Sequence, residues 1–309
     1  MEKSFTVSIA PHVVAEKDTQ SIMRDVYIAL IPALAASIYF FGIRALLVTL
    51  VSVITCVSSE YICRKMMKRG ITIFDGSAIV TGVLFAFCLP PAIPYWTVVI
   101  GASLSIVVGK EIFGGIGHNP FNPALVGRAI LLASWPVQMT VWSKPINHAG
   151  LQFNAVTAAT PLAGLGNGIF SASNMDLLLG RVSGSLGETS VIALVIGAVY
   201  LMLRRVIGWR IPVSFIGTVA VLSWFLSSNV LYHLFSGGLM LGALFMATDY
   251  VTSPITRKGK IIFGIGCGIL TVLIRLYGGF PEGVCYAILL MNAGTPLIER
   301  YTQGRIYGQ

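Results

Sequence analysis

Charged residues are scarce in this chain of 309 residues. Only 11% of its residues are Asp, Glu, Lys or Arg, whereas 55% are hydrophobic. Soluble domains carry about 25% charged residues on average, because much of their surface faces water. The shortage of charge argues against an ordinary soluble domain and predicts an integral membrane protein.

Cysteine is also sparse, and the spacing of the cysteines does not match a metal-binding motif. The five cysteines stand singly in apolar stretches, with no C-x-x-C pair and no histidine at zinc-ligand spacing. This pattern predicts small buried side chains rather than disulfides or metal ligands. We therefore expect no metal in this chain. Residues 1–25 lack the apolar core of a cleavable signal peptide, so we expect them to be retained.

Ten apolar runs divide the remaining sequence. A membrane-spanning helix needs about 20 mostly apolar residues, and shorter runs are typical of half-helices and kinked spans. The runs comprise residues 26–41, 44–63, 76–89, 95–109, 121–137, 188–203, 211–227, 230–247, 261–277 and 283–297. They predict an all-α integral membrane protein with about ten transmembrane helices.

Lysine and arginine are distributed unevenly between the loops. With the N-terminus in the cytoplasm, 16 of the 21 basic residues fall on the cytoplasmic side, as the positive-inside rule requires. Short basic loops without interleaved aromatic residues argue against a nucleic-acid partner. The predicted order is a cytoplasmic segment, a first five-helix repeat, an extracytoplasmic loop, a second five-helix repeat and a cytoplasmic tail, at residues 1–25, 26–137, 138–187, 188–299 and 300–309.

The two halves of the chain resemble each other. "TGVLFAFCLPPAIP" at residues 81–94 aligns without a gap with "LGALFMATDYVTSP" at 241–254. Five spans is an odd number, so the second copy must cross the membrane in the opposite direction, as in many transporters with inverted repeats. Chance similarity between apolar helices is the alternative.

Four acidic residues lie in or beside the apolar runs, where charge is costly and often functional. We expect Asp249, Glu282, Asp75 and Glu111 to contribute to a route for Na⁺ or H⁺. Helix capping is the alternative for Asp75 and Asp249, because Asp is favourable before a first helical turn. Glu60 is expected to extend toward the basic run at residues 64–69.

Longer motifs carry a family resemblance. "DGSAIVTGVLFAFCLPP", "GKEIFGGIGHNPFNPALVGRA", "VTAATPLA", "ATDYVTSP" and "FPEGVCYAILLMNAGTPLIER" resemble the D subunits of bacterial Rnf complexes, the ion-translocating ferredoxin:NAD⁺ oxidoreductases. They resemble more distantly the B subunits of Na⁺-translocating NADH:quinone reductases. The resemblance covers about residues 11–300, and the short segment before the first span favours the former.

The resemblance implies an electron-transfer subunit of the bacterial cytoplasmic (inner) membrane, with both termini in the cytoplasm. Its expected partners are lipid and the A, B, C, E and G subunits of the Rnf complex, and it is not expected to catalyse the overall reaction alone. The alternatives are a B-type subunit of the quinone reductase and a non-redox solute channel or transporter.

The resemblance also implies a covalent flavin in the outer loop. In these subunits a flavin transferase attaches FMN, as a phosphodiester, to the last threonine of a Ser/Thr-Gly-Ala-Thr motif. The motif here is "TAAT" at residues 157–160, so Thr160 is the expected acceptor. Ala158 replaces the usual Gly, and Asn154 stands where Asp is usual, which puts efficient attachment in doubt. The implied flavin site comprises Thr160, Thr157, Ala159, Pro161 and Asn154. Riboflavin is associated with such complexes, but no residue here indicates where it binds.

Overall fold

The computed structural model describes residues 18–143, 145, 157–158, 162, 173–188, 190–226, 229–278 and 283–304. The helices are α1 (Thr19–Phe41), α2 (Ile43–Met66), α3 (Ser77–Phe87), α4 (Tyr95–Ile106), α5 (Pro123–Ser134), α6 (Pro136–Met139), α7 (Asn174–Leu179), α8 (Val191–Leu203), α9 (Arg210–Leu226), α10 (Val230–Phe235), α11 (Leu239–Leu241), α12 (Arg257–Tyr277) and α13 (Val284–Thr302). A 3₁₀ turn covers Ile73–Asp75, and π-helical turns cover Val107–Glu111 and Gly242–Met246. Two short strands are β1 (Trp142–Ser143) and β2 (Thr157–Ala158).

The helices confirm that the chain is a mainly helical membrane protein. By length and composition, α1, α2 and α12 can each cross a membrane, and α3, α5, α8 and α9 are shorter apolar helices. The predicted run 230–247 is interrupted, because α10 ends at Phe235 and α11 begins at Leu239. Gly237 has a φ of 67° between them. This left-handed conformation suits glycine and breaks the helix.

The predicted loop at residues 138–187 contains regular structure where the structure describes it. β1 and β2 form an antiparallel ladder that pairs Trp142 with Ala158 and Ser143 with Thr157. This ladder lies within the predicted loop and is a feature that the sequence analysis did not predict. Each strand has only two residues, which is too short for an alternating sequence pattern to indicate a strand.

Helix packing follows the same order in the two halves. In the first half α2 packs on α4 and α4 on α5, and in the second half α9 packs on α12 and α12 on α13. Helical structure also ends at similar points in the aligned segments 81–94 and 241–254. In the first segment α3 ends at Phe87, and in the second the π-helical turn ends at Met246. The halves meet through the pairs α1–α8 and α5–α13.

A close backbone approach joins α1 and α8. A Cβ at Gly197 would overlap the carbonyl oxygen of Ala29. We expect Gly197→Ala to destabilise the folded protein by about 1–3 kcal/mol, because backbone cannot move aside as a flexible side chain can. Gly217→Ala is the matched control, since nothing lies within 4 Å of a Cβ at that position of α9. Thermal unfolding of the purified protein checks this, and equal midpoints for the two variants would contradict the close approach.

Candidate functional site between the two halves

Six polar residues form a cluster at the N-terminal end of α3, which we call the charge cluster. Its members are Glu60, Arg64, Asp75, Ser77, Lys110 and Glu111. Glu60 and Glu111 are 0% exposed, Lys110 is 2% exposed and Arg64 is 6% exposed. Charged side chains are almost never buried this deeply unless they are paired.

Ion pairs and hydrogen bonds connect the cluster. Lys110 Nζ lies 2.9 Å from Glu60 Oε1 and donates to Ser77 Oγ at 2.7 Å. Arg64 Nε lies 3.3 Å from Glu111 Oε1 and 3.6 Å from Glu60 Oε1. Glu60 is therefore shared between a lysine and an arginine that come from different helical segments.

Asp75 joins the cluster through Ser77. Its Oδ1 accepts hydrogen bonds from the backbone N of Ser77 at 2.8 Å and from Ser77 Oγ at 2.6 Å. The backbone contact is of the kind that the capping alternative predicts for Asp75. The same residue is nevertheless linked to Lys110, because Ser77 Oγ accepts from the lysine while it donates to the aspartate.

A π-helical turn carries the two charged residues that follow α4. Lys110 and Glu111 are consecutive, and both are buried. A π-helical turn inserts a residue relative to an α-helix, and such turns are frequent at functional sites. This local geometry places a cation and a carboxylate in one cluster.

Three carboxylate oxygens of the cluster have no hydrogen-bond partner among the described residues: Glu60 Oε2, Asp75 Oδ2 and Glu111 Oε2. Buried oxygens of this kind are costly to leave unsatisfied. The cluster contains three carboxylates but only two buried cations, Arg64 and Lys110. The cluster thus has one excess negative charge and several oxygens of the type that hard cations prefer.

Asp249 follows the second π-helical turn. Thr252 Oγ1 donates to its Oδ2 at 3.2 Å, and the backbone of Tyr250 and Val251 also bonds to the carboxylate. Burial raises the pKa of the Asp249 carboxyl, while these hydrogen bonds act in the opposite direction. These contacts close a turn and do not cap a helix, because the next helix, α12, begins at Arg257 and has Thr256 as its N-cap.

A cavity between the two halves brings Asp249 to the charge cluster. Ser77 and Lys110 line it from the first half, and Asp249 lines it from the second. Asn122, also in its wall, donates from Nδ2 to the carbonyl oxygen of Met246 at 3.3 Å. The cavity is therefore lined by Lys110 and Ser77 of the charge cluster on its first-half side and by the Asp249 carboxylate on its second-half side, in an otherwise largely apolar lining.

The acids predicted from the sequence are thus brought together in part. Asp75 and Glu111 belong to the charge cluster, Asp249 lies across the cavity, and Glu282 lies outside the described residues. Glu60 reaches Arg64 of the basic run, as expected, at 3.6 Å, but it does so fully buried and not at the surface. Its spacing of four residues from Arg64 on α2 was a usable signal for an ion pair.

A second buried ion pair lies beyond the C-terminal end of α3. Arg128 Nη1 is 3.4 Å from Glu188 Oε1. The backbone N of Gly187 donates to the carbonyl oxygen of Phe87 at 2.9 Å, which holds this segment against the first half. The pair connects α5 to the residues that precede α8.

The predicted flavin segment is described only at its flanks. Thr160, Ala159, Pro161 and Asn154 lie outside the described residues. On one flank, Ala158 pairs with Trp142 in the β ladder. On the other, Leu162 is 3% exposed and packs with Leu177 and Tyr232.

The cysteines are placed as predicted, with one exception. All five are free; Cys56, Cys88, Cys267 and Cys285 are buried, and Cys63 is half-buried. Among the described residues, no group of three His, Cys, Asp or Glu side chains is arranged to hold a metal ion.

Long apolar helices and a cavity lined by Lys110 on one side and Asp249 on the other define a helical membrane protein with a partly polar interior. The chain belongs to the NQR2, RnfD, RnfE family, whose model matches residues 6–308. This finding confirms the resemblance that the motifs carry.

Its relatives are subunits of translocating oxidoreductases. The chain is 49% identical over 312 residues to the D subunit of the Na(+)-translocating ferredoxin:NAD(+) oxidoreductase complex of Acetobacterium woodii, covering 99% of this chain and 96% of the relative. It is 47% identical over 321 residues to the D subunit of the proton-translocating ferredoxin:NAD(+) oxidoreductase complex of Clostridium ljungdahlii, covering 98% and 96%. Identity is 35% over 346 residues with the D subunit of the ion-translocating oxidoreductase complex of Cronobacter sakazakii, covering 98% and 99%.

Proposed function

We propose that this chain is the electron-transferring D subunit of an ion-translocating ferredoxin:NAD⁺ oxidoreductase in the membrane. The observation that carries the proposal is the identity of 49% and 47%, over nearly the whole chain, to two subunits with that name. In this proposal the chain works with the A, B, C, E and G subunits in the cytoplasmic membrane. It is one part of the electron path and does not complete the reaction alone.

In the proposed subunit, Thr160 carries FMN through a phosphodiester that a flavin transferase forms. A threonine hydroxyl is chemically suited to accept a phosphoryl group, and bound FMN would accept and pass on electrons. The ladder contact at Ala158 and the buried Leu162 each lie two residues from Thr160. Both described flanks of the proposed acceptor are therefore held by contacts to the rest of the chain.

Arg275 and Leu162 are the positioning residues for this segment. Arg275 Nη1 donates to the carbonyl oxygen of His233 at 2.6 Å, and its Nη2 donates to that of Ser236 at 3.1 Å. These bonds hold the chain just before Gly237, whose left-handed turn packs against Leu162. The flank of the proposed flavin site is thereby fixed to the helices of the second half.

In the same proposal, the four acids predicted from the sequence form the ion-coupling route. Asp249 is its principal member, with Asp75, Glu111 and Glu282 as helpers. The cavity shared by Asp249 and the charge cluster supports this assignment. Since one relative is named Na⁺-translocating and another proton-translocating at similar identity, experiments on coupling must follow both cations.

We further propose two five-helix repeats of opposite orientation, with both termini in the cytoplasm and the flavin loop outside. A cysteine at Asn167 should then react with an impermeant thiol reagent added outside intact cells. A cysteine at Lys258, an exposed residue near the start of α12, should react only after the cells are opened. The opposite labelling pattern would contradict this orientation.

Mass spectrometry of the isolated wild-type chain tests the proposed function. The peptide that contains residues 150–165 should carry the added mass of FMN, and the chain should fluoresce as a flavoprotein after denaturation. A chain produced without the flavin transferase is the control and should lack both signals. Absence of covalent flavin in the fully matured chain would favour a solute channel or transporter, which has no use for a flavin loop.

A further inference from the structure

We propose that Lys110 is the exchangeable cation of the charge cluster, and that a hard monovalent cation, Na⁺ or H⁺, enters by displacing its ammonium group from Glu60 and Ser77. This inference rests on the proposed function and deepens it. It assigns a role to two residues, Lys110 and Glu60, that the predicted ion-coupling set does not contain.

The two buried cations of the cluster are held differently. Arg64 is fixed by contacts to Glu60 and Glu111 and by a hydrogen bond from Nη1 to the carbonyl oxygen of Gly70 at 3.0 Å. Among the described residues, Lys110 has only two polar side-chain contacts, both through Nζ. A lysine is a point charge on a flexible four-carbon stem, whereas an arginine holds a planar fork in place. Lys110 can therefore leave its partners without disturbing the backbone.

The oxygens around Lys110 suit the cation that would replace it. Its two partners are a carboxylate oxygen of Glu60 and the hydroxyl oxygen of Ser77. The second oxygen of Glu60 has no partner among the described residues and belongs to a fully buried side chain. Carboxylate and hydroxyl oxygens are ligands that hard cations accept, and the same carboxylate can instead take up a proton.

Charge balance favours exchange over simple addition. With Lys110 in place, the cluster has one excess negative charge. If a monovalent cation replaces the ammonium group, this balance is unchanged, whereas departure of the ammonium alone would leave two excess negative charges in a buried place. Uncompensated buried charge is strongly unfavourable, so entry of the cation and movement of Lys110 must occur together.

The cavity supplies a second position for the displaced ammonium. Lys110 and Asp249 both line it, from opposite halves of the chain. A lysine that moves from Glu60 toward Asp249 changes which half holds the charge. Cation entry in the first half would thereby alter the electrostatic environment of the second half.

Other titratable and charged groups lie around the cluster. Arg69 is exposed and donates to the backbone carbonyl of Glu111 at 3.2 Å, and Asp18 and Arg24 line a groove on the other side of Asp75. The thiols of Cys56 and Cys63 lie within electrostatic range. None of these groups contacts Lys110 Nζ through a hydrogen bond or ion pair among the described residues.

Lys110→Met in the reconstituted whole complex tests the exchange. We titrate turnover from reduced ferredoxin to NAD⁺ with NaCl at fixed pH, and with pH at low Na⁺. Removing the competing ammonium should lower the half-saturating concentration of the coupling cation by about tenfold or more. Because the cation then leaves more slowly, the maximal turnover rate should also fall. Lys65→Met, an exposed lysine on α2, is the matched control and should change neither quantity.

Two further variants keep the test decisive. Lys110→Arg retains a permanent cation and should show no such decrease in half-saturating concentration. Glu60→Gln with Lys110→Met removes one charge of each sign; we expect that complex to assemble and to lose cation uptake per electron. An unchanged half-saturating concentration in an assembled Lys110→Met complex, or normal uptake in the double variant, would overturn the exchange. Failure of both to assemble would also overturn it, by making the cluster purely structural.

The wild-type complex separates this inference from the proposed function. If wild-type vesicles show no cation uptake linked to ferredoxin oxidation, the proposed function itself fails. If wild-type uptake is linked to oxidation and the Lys110 variants behave like wild type, only the role of Lys110 is wrong.

Discussion

Thr160→Val is expected to remove all covalent flavin from this chain and to abolish electron transfer from ferredoxin to NAD⁺ in the assembled complex. The exchange replaces one hydroxyl group with a methyl group and leaves no acceptor for the phosphoryl group of FMN. The flanking contacts at Ala158 and Leu162 do not involve that hydroxyl, so the chain should still fold and assemble. Mass spectrometry of residues 150–165 and turnover of the purified complex measure the two effects.

Thr157→Val is the matched control for this prediction. It makes the same chemical change three residues earlier, where the backbone of Thr157 pairs with Ser143 and valine is well suited to a strand. Covalent flavin should persist in that variant. Flavin that remains in Thr160→Val and disappears in Thr157→Val would move the attachment site to Thr157.

Asp249→Asn is expected to reduce ion uptake per electron severely while the complex remains assembled. Asparagine keeps a side-chain oxygen that can accept from Thr252 and from nearby backbone N–H groups, but it has no charge to attract a cation or the Lys110 ammonium. Ferredoxin-driven uptake into vesicles, measured separately for Na⁺ and H⁺, gives the ratio of ions to electrons.

A purely structural Asp249 would behave differently. Loss of a cap typically costs about 0.5–2 kcal/mol of stability and has no specific effect on pumping. Asp18→Asn provides the comparison, because Asp18 caps α1 through a hydrogen bond from the backbone N of Thr19 at 2.7 Å and does not line the cavity. Uptake per electron that is unchanged in Asp249→Asn would make Asp249 a purely structural residue and remove it from the ion route.

Much of the helical framework follows from the sequence, because apolar length is a strong signal. The run predicted at residues 44–63 is α2, Ile43–Met66, and the run at 261–277 is contained in α12, Arg257–Tyr277. The break at Gly237 was not predicted, although the sequence carries a signal for it: Ser236, Gly237 and Gly238 are consecutive, and Ser-Gly and Gly-Gly pairs mark turns. The apolar residues on both sides made the run look continuous, and the left-handed backbone at Gly237 ends the helix there.

The candidate site could be predicted only in part. Asp75, Glu111 and Asp249 stand out in the sequence because an acid beside an apolar run is unusual. Lys110 and Glu60 do not stand out in this way. Each lies next to or shortly before other charged residues, so the sequence favours a position at the membrane surface for both. Their pairing depends on the π-helical turn and on the packing of α2 against that turn, and neither has a sequence pattern of its own.

Ferredoxin-driven cation uptake by the reconstituted wild-type complex tests the proposed function most directly. The complex is purified through a tag on this chain, placed in sealed vesicles and supplied with reduced ferredoxin and NAD⁺, while internal Na⁺ and pH are followed. The expected result is NAD⁺ reduction accompanied by uptake of one of these cations, with both processes stopping when NAD⁺ is omitted. Cation movement that continues without electron flow, or electron flow that moves neither cation, would contradict the proposed function.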